Sequence, residues 1–316
     1  MLENISYRFE ENKAMFLAER LQRRMPKTNS LASPFSSKAV LLGILYGGFV
    51  AAAYFLVRLR GVHGGLEIFT LGCFISFFLH LLVVPRKAAI GLRDPRMFVR
   101  GLFYGLAQVF IFKAQYDGQT SGALVAAVFG SVIAVVLGHF LLKERPSRLA
   151  ILAIVLAFSG FFIDLSLFMT SSWGIAGGLV QGLSIVTVRW LMKNKHSQQE
   201  AISVGFLLGG IVGLLTLTVS GELSLISQIH LVDMLWAVPV MFITQYFYFY
   251  LIKILDAPRS SILVLTRIPW AMGLEFAVLG IVASVNQVLA SACVVLAAAI
   301  LVVDSANFFQ SRQRKF

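Results

Sequence analysis

Residues 141–150 read LLKERPSRLA and residues 278–287 read VLGIVASVNQ. Laid over one another without a gap, Leu142 meets Leu279 and Ser147 meets Ser284, a shift of 137 residues (284 − 147 = 137) that also carries Gln108 onto Gln245. Each stretch joins one long apolar run to the next, and each glutamine lies in the middle of a run. An internal duplication is the simplest reading. The junctions differ in charge: the first holds Lys143, Glu144, Arg145 and Arg148, and its mate over 279–287 holds none. Basic loops stay on the cytoplasmic side of a membrane, so the two junctions are expected on opposite sides and the second copy upside down relative to the first.

Working outward, apolar runs fall near residues 39–57, 66–84, 97–115, 120–142, 148–168, 173–192, 200–220, 234–254, 260–281 and 285–306. A bilayer core is crossed by about 20 apolar residues in helical form. The runs also lack the two-residue alternation of a membrane β-barrel. The expected fold is an all-α integral membrane protein with ten transmembrane helices as two inverted five-helix repeats, over 38–168 and 173–306, flanked by basic cytoplasmic tails at 1–37 and 307–316. Composition agrees: 58% of the residues are hydrophobic, 13% are charged and the mean hydropathy is +0.82, outside the balance of a soluble globular domain.

The formal net charge of +12 would suggest nucleic acid in a soluble protein. Here the basic residues sit between apolar runs and report topology. With the N-terminus inside, cytoplasmic segments hold Arg86, Lys87, Arg93, Arg96 and Arg100, then Lys143, Arg145 and Arg148, then Arg189, Lys193 and Lys195, then Lys253 and Arg259. The opposite side holds only Arg58 and Arg60. Both termini are therefore expected in the cytoplasm. In the first tail Leu17, Leu21 and Met25 recur at helical spacing, as in a helix lying on a membrane surface, with a frayed solvated tail as the alternative. Its acidic residues, Glu3, Glu10, Glu11 and Glu19, argue against a cleaved signal peptide. Cys73 and Cys293 both lie in apolar stretches, so neither a disulfide framework nor a cysteine metal site is indicated.

Leu142, Glu144, Arg145, Pro146 and Ser147 before an apolar fifth helix, and Pro269, Leu279, Gly280, Ser284 and Gln287 in the second copy, resemble the EamA-like branch of the drug/metabolite transporter superfamily. The resemblance runs from about residue 39 to residue 306. Val132 stands where the first copy often has a proline, and Ile281 where the second often has a glutamate. The resemblance implies a ten-helix carrier in the bacterial inner membrane, commonly an exporter of amino acids or other metabolites, with no tightly bound cofactor.

Ionisable residues inside a span cost about 2.5–3.5 kcal/mol near its centre, so each needs a reason. The candidates are His80, Lys113, His139, Asp164, Arg267, Glu275 and Asp304. Lys113 and Asp117 are four apart and can pair, and Asp164 and Asp304 are near span ends. His80 and His139 read first as hydrogen-bonded packing residues and second as a proton relay. Arg267 precedes Pro269 by one residue, and the missing proline N–H frees the carbonyl of Leu265. A guanidinium at a kink can supply a positive charge to an anionic group; pairing with Asp304 is the alternative. Glu275, two turns further along the same helix, is the candidate for proton coupling, with a salt bridge to Lys113 as the alternative.

Span three presents Tyr104, Gln108, Ile111 and Gln115 on one face, and span eight presents Met241, Gln245, Tyr248 and Ile252 at matching positions. These faces are expected to look at one another across a pore, with Gln108 and Gln245 flanking a solute at the midplane. Tyr46, Gln181, Ser184 and Trp270 are expected to complete the lining. Small residues four apart, including Gly43 and Gly47, Gly101 and Gly105, Gly174, Gly178 and Gly182, and Gly205, Gly209 and Gly213, mark helix-packing seams.

No HExxH, GxSxG or nucleotide-binding motif occurs, which disfavours a membrane enzyme and an ATP-driven pump. The expected function is secondary transport of a small polar metabolite such as an amino acid, by proton-coupled export. Its partners would be the solute, protons and membrane lipid, with no nucleic acid, metal or cofactor. A lipid or lipid-precursor flippase and a non-catalytic scaffold are the alternatives.

Overall fold

The computed structural model describes residues 32–59, 64–117, 120–144, 146–163, 172–255, 257–282 and 284–313. Most of the 1–37 tail, the residues after 313, Arg60 and Asp164 lie outside the described residues, as do the side chains of Arg58, Gln115, Asp117 and Asp304. Every regular element among the described residues is helical. In order these are α1 (Ala32–Leu59), α2 (Gly64–Val83), α3 (Pro85–Gly91), α4 (Pro95–Asp117), α5 (Thr120–Leu142), α6 (Arg148–Ile163), α7 (Ser172–Lys193), α8 (Gln198–Ser220), α9 (Leu231–Ile254), α10 (Ala257–Leu265), α11 (Arg267–Leu279) and α12 (Val285–Gln313), with a 3-10 turn at Leu223–Gln228. Six stretches are long and apolar enough to cross a membrane: Gly65–Val83, Pro95–Ala114, Ser172–Lys193, Gln198–Ser220, Leu231–Ile254 and Arg259–Leu279. Four shorter apolar stretches lie at Leu41–Val57, Gly130–Leu142, Arg148–Gly160 and Val285–Ile300.

The helices fall on the apolar runs, with three differences. Helix α1 begins at Ala32, inside what composition marks as a tail. The loop between spans two and three holds a short helix, α3, started by Pro85 at its first turn, where the missing N–H costs nothing. The run at 260–281 is two helices, α10 and α11, broken at Thr266. Pro269 cannot donate to the carbonyl of Leu265, so the ladder fails there; Thr266 instead turns its backbone N–H (3.2 Å) and its hydroxyl (2.7 Å) onto the carbonyl of Leu263. Where α8 and α11 end, Gly221 and Gly280 take φ of 75° and 66°, the left-handed cap that glycine adopts without strain.

The polarity of the bundle is reversed relative to a soluble protein. Leu82, Val83 and Val219 are more than three-quarters exposed, as lipid-facing side chains should be, while His80, Arg100, Gln181, Gln245, Arg267 and Glu275 are buried. Helix approach rests on the small residues. The backbones of Gly130 and Gly182 nearly touch between α5 and α7, Gly105 lies against Gly209 between α4 and α8, and Gly47 of α1 packs on Thr266. Helix α6 packs on α12, α2 on α8, α4 on both α7 and α8, and α1 on α10 and α11.

Candidate functional site

A cavity of about 90 Å³ lies among α1, α2, α4, α7, α9 and α11. Tyr46 and Tyr54 of α1, Tyr104 and Gln108 of α4, Gln181 of α7, Met241, Thr244 and Gln245 of α9 and Arg267 of α11 supply much of its wall. Val57, Ile68, Phe112 and Trp236 line it too, so it extends toward the end of the bundle where α1 runs on to α2. Gln108 and Gln245, matched by the repeat, share this one cavity.

Helical spacing places these groups. Tyr46, Val50 and Tyr54 recur every four residues on α1, so one stripe meets the cavity. Arg100, Tyr104 and Gln108 do the same on α4. The hydroxyl of Tyr54 donates to Gln108 Oε1 at 2.8 Å. Arg267 Nη2 donates to Gln181 Oε1 at 3.1 Å, and Arg100 Nη2 donates to Gln245 Oε1 at 2.7 Å. The second Arg100 nitrogen, Nη1, donates to the carbonyl of Ala201 at 3.0 Å. The Arg100 guanidinium also lies between two rings, with its carbon 4.9 Å from the centre of Tyr104 and 4.8 Å from that of Phe249. Tyr248, expected to line the cavity, lies behind its wall, stacked on Tyr46 at 6.1 Å and edge-on to Phe249.

Arg100 corrects the charge reading. Counted above with the loop residues Arg93 and Arg96, it is wholly buried, six residues into α4. The signal was present in the sequence, because Arg100 shares its helical stripe with Tyr104 and Gln108. Tyr54 was missed likewise, although it stands two turns beyond Tyr46.

Trp270 is a second correction. It is 44% exposed and outside the cavity wall, and its indole N–H donates at 3.1 Å to the carbonyl of Ile44, pinning α11 to α1. The Lys113 ammonium lies 5.3 Å from the ring centre of Trp173. Glu275 is buried in α11, outside the cavity wall. Ser184, Ile111 and Ile252 are buried in the surrounding core.

His80 forms a closed local arrangement. The hydroxyl of Ser203 donates to the carbonyl of Gln199 at 2.9 Å, so His80 Nδ1, 2.6 Å away, must donate to Ser203; Nε2 then accepts from the Tyr246 hydroxyl at 2.9 Å. A neutral ring is satisfied at both nitrogens, the packing role. His139 donates from Nδ1 to the carbonyl of Glu144 at 3.1 Å, and its ring lies edge-on to Phe140 at 5.2 Å.

The end of the bundle away from the α1–α2 connection is tied shut. Arg189 of α7 donates from Nε to Glu144 Oε1 at 2.8 Å and from Nη1 to the carbonyl of Ile252 at 2.7 Å. Lys193 donates to the carbonyl of Leu142 at 2.8 Å and stands 3.5 Å from the same Glu144 oxygen. One carboxylate beyond α5 thus holds α7, which holds α9. Among the described residues no group of three His, Cys, Asp or Glu side chains could hold a metal ion.

No curated protein matches the chain. A solved crystal structure is similar over 84% of this chain and 96% of its own, with a TM-score of 0.57 and 17% identity, a likeness that shows the fold alone. The model of the EamA-like transporter family matches twice, over residues 37–165 and 169–303, the two halves that the repeat separates. With multi-pass apolar helices around a buried polar cavity and both halves matched, this membrane protein belongs to the EamA-like transporter family.

Proposed function

We propose that the chain is a secondary transporter of a small polar metabolite, built as two inverted five-helix repeats over 38–168 and 173–306, with the solute held in the cavity between them. The observation that carries this reading is the single cavity whose wall includes Gln108 and Gln245, residues that the 137-residue shift relates. Helix packing supports the inversion. Numbering the spans one to ten with α10 and α11 as span nine, five packs on ten and two on seven, each against its own repeat mate. The other main contacts come in related pairs: four on six with nine on one, and three on seven with eight on two.

In this reading Gln108, Gln181, Gln245 and Arg267 contact the solute, while Tyr46, Tyr104 and Tyr248 shape the space around it. Glu275 couples transport to protons, transport runs outward across a bacterial inner membrane, and both termini are cytoplasmic. The structure then has its cavity reaching toward the outer side and its cytoplasmic side closed by Glu144, Arg189 and Lys193. The test is transport by purified protein in liposomes: preloaded solute should exchange for labelled solute in the parent protein. Gln108→Ala and Gln245→Ala should each raise the half-saturating concentration. A solute exchanged by the parent and equally well by both variants would remove the cavity as the site.

A further inference from the structure

Three glutamines face the cavity, and in all three the carboxamide oxygen is already taken. Tyr54 donates to that of Gln108, Arg267 to that of Gln181 and Arg100 to that of Gln245. A guanidinium has no acceptor, so Gln181 and Gln245 must turn their oxygens to the arginines. What remains for the cavity is the NH₂ group of each amide, with no protein acceptor among the described residues. The hydroxyl of Thr244, also on the wall, spends its proton on the carbonyl of Met241 at 3.1 Å. Arg267 is on the wall itself. Among the described residues no aspartate or glutamate is part of the wall.

The charge balance points the same way. Arg100 and Arg267 are 0% and 1% exposed, no carboxylate lies within ion-pair distance of either among the described residues, and the Nε of each is buried without a hydrogen-bond partner. Removing the partner of a buried charge ordinarily costs several kcal/mol, so two guanidiniums left without counter-ions are a strong demand for negative charge. The aromatic faces around Arg100 offset part of that demand. They cannot supply an acceptor for Nε.

Resting on the carrier reading above, we infer that the transported solute is a small anion bearing a carboxylate or phosphate. Arg267 and the NH₂ groups of Gln108, Gln181 and Gln245 contact its oxygens, and Arg100 acts as a positioning residue that orients Gln245 and adds positive charge beneath it. A zwitterionic amino acid or an amine fits poorly, because its ammonium group finds no carboxylate on this wall. Both carboxylate and phosphate are oxyanions that accept several N–H bonds at once. The site geometry selects for that shared chemistry.

The test uses the full chain, purified and reconstituted. Thermal unfolding is followed with succinate, glycerol phosphate, inorganic phosphate, glutamine and putrescine, and labelled forms of the same probes are tested for exchange. An oxyanion should raise the unfolding temperature and be exchanged, and the arms separate a carboxylate from a phosphate preference. Arg267→Gln should weaken its binding about tenfold or more. Arg100→Gln disturbs the core, so the decisive variants are isosteric: Gln245→Glu and Gln181→Glu give each arginine an internal counter-ion. These should leave the ligand-free protein at least as stable as the parent while weakening oxyanion binding about tenfold or more. A purely structural role for the arginines predicts the same stability with unchanged binding, which would overturn the inference. Binding and exchange of glutamine or putrescine, but of no oxyanion, would overturn it and leave the carrier reading standing. If no probe of any charge is bound or exchanged, both fall.

Discussion

Replacing Glu144 by Gln should open the end of the bundle that is closed in this structure. The side chains of Glu144 and Arg189 are only 10% and 18% exposed, and they meet at 2.8 Å. A hydrogen bond to a charged group contributes about 1.5–3 kcal/mol net, and partial water contact argues for the lower end, about 1.5 kcal/mol. Lys193, 42% exposed and 3.5 Å away, adds little after screening. Because about 1.4 kcal/mol is a factor of ten, the equilibrium between closed and open forms should shift about tenfold. Ile185 reports on this: it is 1% exposed and lies between Gln181 and Arg189 on the same stripe of α7. In a background with Cys73 and Cys293 replaced by Ala, Ile185→Cys should be labelled by a soluble maleimide about tenfold faster when Glu144→Gln is added. Arg189→Gln also removes the bond to the carbonyl of Ile252, so it should give at least as large a rise, and the double variant little more than Arg189→Gln alone. Unchanged labelling in Glu144→Gln, with a lowered unfolding temperature, would refute the gate and leave a plain structural bridge.

Further outcomes follow from the same geometry. Gly205→Ala puts a methyl group onto Arg100 Nη1 and should cost about 1–3 kcal/mol in unfolding experiments, whereas Gly273→Ala, with open space around it, should be neutral or slightly stabilising. Gln108→Ala and Gln245→Ala should each weaken solute binding about tenfold by titration. Glu275→Gln should abolish gradient-driven accumulation yet keep solute-for-solute exchange; loss of both together with stability would assign Glu275 to structure. For topology, a cysteine at Ser224 should be labelled from outside intact cells and one at Gln310 should not; the reverse pattern would invert the protein.

Hydropathy and charge told where the helices run, because lipid imposes its demand on each segment separately: about 20 apolar residues and internally satisfied backbone. The glycine seams were legible for a related reason, since close approach needs small residues at helical spacing whichever neighbour arrives. The repeat-related pair Gln108 and Gln245 was legible too, as a shift between two junctions. Loop counting misassigned Arg100, because a basic residue six positions into a helix looks like a loop residue until the four-residue stripe to Tyr104 and Gln108 is read with it. Trp270 was given to the lining because it lies three residues beyond Arg267; its bond to the carbonyl of Ile44 joins two helices far apart in the chain, which no local pattern reveals. Only the tertiary structure decided which amide oxygens the arginines occupy, which end Glu144 ties shut and what α4, α7 and α9 present together to the cavity. Those are contacts between residues 86 to 145 positions apart in most of these pairs, set by the mutual fit of whole helices and carried by no local pattern.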